Sequence, residues 1–121
     1  MLSPRLPVAL ALATGLLMLA AAPSVAAPVR LIGTVGPGFT ITLTKAGKRV
    51  TKLPAGRYTF VITDKSSNHS FALDGPNGFA KDFTSIPFKG TKTFTLTLEK
   101  GKYKYYCAHH ESSMYGYFTV T

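Results

Sequence analysis

From residue 29 to the end of the chain, apolar and polar positions alternate with a period of two. Phe39, Ile41 and Leu43 alternate with Thr40, Thr42 and Thr44, and Tyr58, Phe60 and Ile62 with Arg57, Thr59 and Thr63. Phe94, Leu96 and Leu98 alternate in the same way with Thr93, Thr95 and Thr97, and Phe118 and Val120 with Tyr117, Thr119 and Thr121. Successive side chains of a strand point to opposite faces, so each run predicts a half-buried strand. Turn formers punctuate the runs at Gly36-Pro37-Gly38, Lys45-Ala46-Gly47-Lys48, Pro54-Ala55-Gly56 and Glu99-Lys100-Gly101. No segment shows a helical repeat. Seven or eight short strands of this kind predict an all-β fold, a single antiparallel Greek-key β-sandwich.

Two finer features refine that expectation. Residues 53–60 and 98–105 echo one another, each a turn with Gly followed by a strand that opens with a basic residue and Tyr. The echo predicts two equivalent hairpin-type turns. Residues 79–89 lose the alternation and read as an irregular segment crossing between sheets. His69 shares the parity of Phe71 and Leu73, which directs its imidazole toward the core at the start of a strand.

Ahead of the alternating region stands a different pattern. One basic residue, Arg5, precedes an apolar run from Leu6 to Ala22, followed by small residues at Ser24, Ala26 and Ala27. This is the layout of a secretory signal peptide, residues 1–26, cleaved after Ser24-Val25-Ala26. Cleavage one residue later would place Pro28 directly behind the scissile bond. The run is short for a membrane span and is interrupted by Pro7 and Gly15. The mature chain, residues 27–121, is then expected to be an exported monomeric domain without a membrane span, periplasmic or fully secreted.

Charge changes the picture less. Without Arg5, Lys plus Arg falls from 14 to 13 against five acids, a net charge of +8. The cations are scattered over turns and polar strand faces and do not build a nucleic-acid platform. They predict instead an acidic docking patch on a partner.

Cysteine and methionine change it more. A chain with one Cys has no internal disulfide, and removal of residues 1–26 leaves Met114 as the one methionine. Of the one Cys, one Met and three His that remain, four lie between residues 107 and 114. Parity turns Cys107 inward at the end of its strand, beside Tyr103 and Tyr105. His110 follows across a turn, and Met114 returns as the chain reverses through Gly116. With His69 from a separate strand, the set is two imidazoles, one thiolate and one thioether, the donors of blue-copper electron-transfer sites. His109 reads as an exposed neighbour. A zinc hydrolase would need a general base, and Glu111 is the one acid of the loop. A Cys107–His110 nucleophile pair would need a substrate cleft that an inward thiol in so small a domain does not offer.

These residues resemble those of the cupredoxins, in particular the small plastocyanin-like exported bacterial copper proteins. Residues 35–41 are similar to the family's opening strand, 64–73 to its segment with the first histidine, and 89–94 to its next strand. Tyr106-Cys107 through Val120 resembles its closing C-x-x-H-x(n)-M-x-G-x-F-x-V motif. The family often carries Asn where Ser70 stands and Pro where His109 stands. The resemblance implies one mononuclear copper held by His69, Cys107, His110 and Met114, with the exposed edge of His110 as the electron's exit. It implies a one-electron carrier, not an enzyme, serving an exported redox partner. The alternative is a periplasmic protein that delivers or buffers copper for a copper-accepting partner.

Overall fold

The computed structural model describes residues 2–18 and 26–121. Most of the expected cleavage triplet lies outside them. Residues 2–18 form no helix or strand and are exposed. Among the described residues, no helix is long and apolar enough to cross a membrane.

Ten strands follow: β1 (Val29–Val35), β2 (Ile41–Lys45), β3 (Lys48–Arg49), β4 (Lys52–Leu53), β5 (Gly56–Asp64), β6 (Phe71–Asp74), β7 (Ala80–Thr84), β8 (Gly90–Leu98), β9 (Gly101–Tyr106) and β10 (Tyr115–Val120). Two of them, β3 and β4, are two-residue bridges, so eight carry the body of the fold. They form two five-stranded sheets, ordered β3-β2-β1-β5-β8 and β4-β10-β9-β6-β7. The expected sandwich is therefore present. Every residue of its core cluster falls between Leu31 and Val120, including Leu31, Leu43, Phe60, Ile62, Phe71, Leu73, Tyr103, Tyr105 and Phe118. Residues 27–121 thus contain the whole core cluster found among the described residues.

The sandwich is mixed and not wholly antiparallel. Strands β1 and β5 pair in parallel from Val29↔Tyr58 to Val35↔Asp64, as do β4 and β10. Alternation dictates which face a strand buries but carries no information about the direction of its neighbour. After the β2–β3 hairpin the chain passes through β4 in the opposite sheet. It returns to the pole where β1 began, and so it runs alongside β1 in the same direction.

The two echoing turns are corners between sheets, not hairpins. One carries the chain from β4 to β5, the other from β8 to β9. They are equivalent in detail: the Tyr58 hydroxyl donates to the Pro54 carbonyl at 2.6 Å, and that of Tyr103 to the Glu99 carbonyl at 2.9 Å. The true hairpin is Lys45–Lys48, where Ala46 and Gly47 both take positive φ (48° and 78°), as a two-residue type I′ turn requires.

Residues 79–89 are more regular than their sequence suggests. Ala80–Thr84 is the edge strand β7 on β6, with a register shift between Phe71 and Ala72. Phe83 and Thr84 are consequently both buried, and the shift erases the alternation that would have marked a strand. The crossing itself occupies residues 85–89.

Candidate metal centre

The parallel β1/β5 ladder brings two strand ends to one rim, with the Lys65 N–H donating to the Val35 carbonyl at 2.9 Å. The loop after β1 and the loop carrying His69 are therefore neighbours. Gly36 sits between them with φ 74°, where a Cβ would lie 3.0 Å from Ser66 Cβ and 3.4 Å from His69 Cδ2. Both the backbone conformation and the crowding call for glycine.

Asp64 anchors the histidine loop from below. Its carboxylate is 1% exposed, with one oxygen accepting from the Ser66 N–H at 3.1 Å and the other from the Thr84 hydroxyl at 2.7 Å. The Thr84 oxygen accepts in turn from the Phe71 N–H at 3.0 Å. Buried polar atoms need partners, and these bonds join the end of β5, the start of β6 and the end of β7. The sequence shows only a polar turn at 64–68, so this role was not legible there.

On the other side, the loop between β9 and β10 is a compact turn. The Cys107 N–H donates to the Met114 carbonyl (3.0 Å), while the N–H groups of Ser113 and Met114 both donate to the His110 carbonyl (3.0 and 2.8 Å). The His110 N–H donates to the Cys107 carbonyl at 3.1 Å. Cys107, Met114 and His69 are buried, and His110 is half-buried.

These two loops bring His69, Cys107 and His110 together. His69 Nδ1 lies 3.2 Å from His110 Nδ1, and the Cys107 Sγ lies 3.9 and 3.7 Å from those two nitrogens. A point in the plane of that triangle is about 2.1 Å from all three atoms, the length of a metal–imidazole bond and slightly under that of a metal–thiolate bond. The three donors thus fit one ion without rearrangement of the chain. Two imidazole nitrogens and a cysteine sulfur at this spacing, with the Met114 side chain buried on the same loop, are a donor set that suits both Cu(I) and Cu(II). His109 is exposed on the turn and stands outside the cluster.

Ser70 braces the site from beneath. Its N–H donates to the Cys107 Sγ at 3.4 Å and its hydroxyl to the same sulfur at 3.8 Å, while the hydroxyl oxygen accepts from the Ala108 N–H at 3.2 Å. A single hydroxyl therefore links the two ligand-bearing loops and places a donor against the sulfur. Such contacts orient a metal ligand and tune it.

Phe39 departs from expectation. Instead of facing the core from a strand, it lies in the turn before β2, 67% exposed. Its ring meets those of His69 and His110 edge to face, at 5.3 and 4.9 Å between centroids. It forms an apolar cover over both imidazoles. Its place in an alternating run disguised this in the sequence, because the Gly36 N–H donates to the Thr40 carbonyl and closes a turn ahead of the strand. Tyr115, beside Met114, points outward and is half-exposed.

No protein-family model matches the chain, and no curated protein matches it significantly. Solved structures do. Reduced rusticyanin is 18% identical over 81% of this chain and 82% of that one, with a TM-score of 0.56. A second structure, of the copper protein rusticyanin, is 21% identical over 78% of each chain at a TM-score of 0.55. Reduced rusticyanin determined by NMR is 23% identical over 76% of each, at 0.51. Rusticyanin is a cupredoxin, and likeness at these identities is likeness of fold. The chain is built on the cupredoxin fold, with two histidines and its single cysteine gathered at the rim where that fold joins two loops.

Proposed function

We propose that His69, Cys107, His110 and Met114 would hold one copper ion, and that the protein is an exported one-electron carrier. The observation that carries this reading is the triangle of donor atoms, whose size matches a single ion. Bound copper supplies the Cu(I)/Cu(II) couple. The chain supplies a frame: backbone hydrogen bonds fix Cys107 and Met114 to one another, Ser70 ties the two loops, and burial excludes water from the sulfur. A frame that changes little between the two oxidation states keeps reorganisation small. His110, half-buried where the other ligands are covered, offers the edge through which an electron leaves. Lys65 and Lys89 flank this rim, and they would favour a redox partner with an acidic docking patch. Residues 1–26 would be removed on export.

The test is visible absorption of residues 27–121 titrated with Cu(II), alongside Cys107→Ala. The expected outcome is an intense thiolate-to-copper band that saturates at one equivalent and is absent in the variant. Copper binding without that band would replace electron transfer by copper delivery, and failure to bind copper would sink the metal reading entirely.

A further inference from the structure

A cluster of cations lies at the pole opposite the metal rim. Strands β1 and β5 end at the rim, with Val35 beside Asp64, whereas β2 runs back from it to Lys45. Lys45 pairs with Lys48 in the hairpin, Arg49 follows, and Lys52 begins the bridge onto Thr119 near the end of β10. Five residue steps lead from Met114 to Thr119, which at strand rise is about 17 Å. Arg57 at the start of β5 and Lys100 in the corner before β9 join the same pole. All six side chains belong to exposed residues. The one acid at this pole is Glu99, which accepts from the Asn77 amide at 3.4 Å. Among the described residues the only ion pair is elsewhere, between Lys104 and Glu111.

One further observation indicates what this pole meets. Lys45, Lys48, Arg49 and Lys52 line a groove together with exposed Ala46, over the buried Val50 and Leu53, so charged heads and the aliphatic stems that carry them share one depression.

We infer that the Lys45–Lys52 pole is a docking surface for an anionic phospholipid bilayer, which holds the sandwich with its metal rim turned away from the membrane. Anionic headgroups match the unpaired cations, and the mixed groove matches an amphiphile better than a wholly polar acidic protein. Each Lys or Arg held near such a surface strengthens binding by roughly fivefold at physiological salt. The attraction falls off within a Debye length.

The experiment uses residues 27–121, so that the apolar run contributes nothing, and vesicles of equal parts phosphatidylcholine and phosphatidylglycerol. Expected is binding to these vesicles and not to pure phosphatidylcholine, lost on raising salt to about 0.5 M. The combined variant Lys45→Gln, Lys48→Gln, Arg49→Gln and Lys52→Gln should bind at least tenfold more weakly. Lys65→Gln with Lys89→Gln, at the metal rim, should bind as the parent does. Both variants alter exposed side chains, and an unchanged thermal midpoint establishes that each folds. Equal binding to neutral vesicles, or equal loss in the rim variant, would overturn the inference. So would hairpin-dependent binding of polyglutamate with no vesicle binding, which would assign the surface to an acidic protein.

Discussion

At the scale of single residues, three positions that are not metal donors decide how well the site is held. Asp64 is the first. Its buried carboxylate joins three strand ends, so Asp64→Asn, which keeps the shape and replaces one acceptor by a donor, should cost about 1–3 kcal/mol of unfolding free energy. Urea midpoints measure this, and an unchanged midpoint would show that the network is not structural. Phe39 is the second. Because it is exposed, Phe39→Ala should alter stability by no more than about 0.5 kcal/mol. It should nonetheless speed the transfer of bound copper to a chelator, since the ring covers both imidazoles; an unchanged rate would reduce Phe39 to a surface residue. Gly36 is the third. Gly36→Ala adds a Cβ against Ser66 in a backbone conformation with φ 74°, and should destabilise by more than the roughly 1 kcal/mol ordinarily at stake in a glycine exchange.

At the scale of elements, the two corners are the units that turn a row of alternating strands into a sandwich. Each is closed by a tyrosine hydroxyl bonded to a carbonyl four residues back. Tyr58→Phe and Tyr103→Phe should each cost about 1 kcal/mol. The two corners share no hydrogen-bond partner, so the double variant should lose close to the sum. A double variant no worse than either single one would mean that the corners are coupled. The strands were legible because threonine alternates with aromatic and aliphatic residues along β2 and β8, and in parts of β5 and β10. The ligand loop was legible because Cys107, His110 and Met114 are close in sequence and chemically unusual. What escaped reading depends on contacts between distant segments: the parallel β1/β5 ladder, the bulge that hides β7, the Asp64–Thr84 bond across twenty residues and the fold of Phe39 over two histidines. Local patterning cannot encode any of these.

At the scale of the whole molecule, ionisation links surface and stability. Burial and the hydrogen bond to Asp74 push the Tyr106 hydroxyl up to about 12, and burial also raises Tyr58 and Tyr103. The folded chain therefore retains phenolic protons that the unfolded chain releases near 10. The resulting stabilisation is complete below that pH and is lost as pH rises toward about 12. Denaturant midpoints should fall across that window, and Tyr106→Phe should flatten the fall; an equally steep decline in the variant would assign it to other groups. A different consequence follows from the way the donors are distributed along the chain. His69 and Cys107 are 38 residues apart, and β6, β7, β8 and β9 lie between them. A chain with a single cysteine has no covalent means of closing that loop, so an ion shared by the two residues would be its one cross-link, and a removable one. At a free concentration a hundred times its dissociation constant, such an ion would add about 2.7 kcal/mol to the stability of the fold. The melting temperature would then rise and fall with the supply of metal, and a chelator would act on this protein as a reducing agent acts on a disulfide.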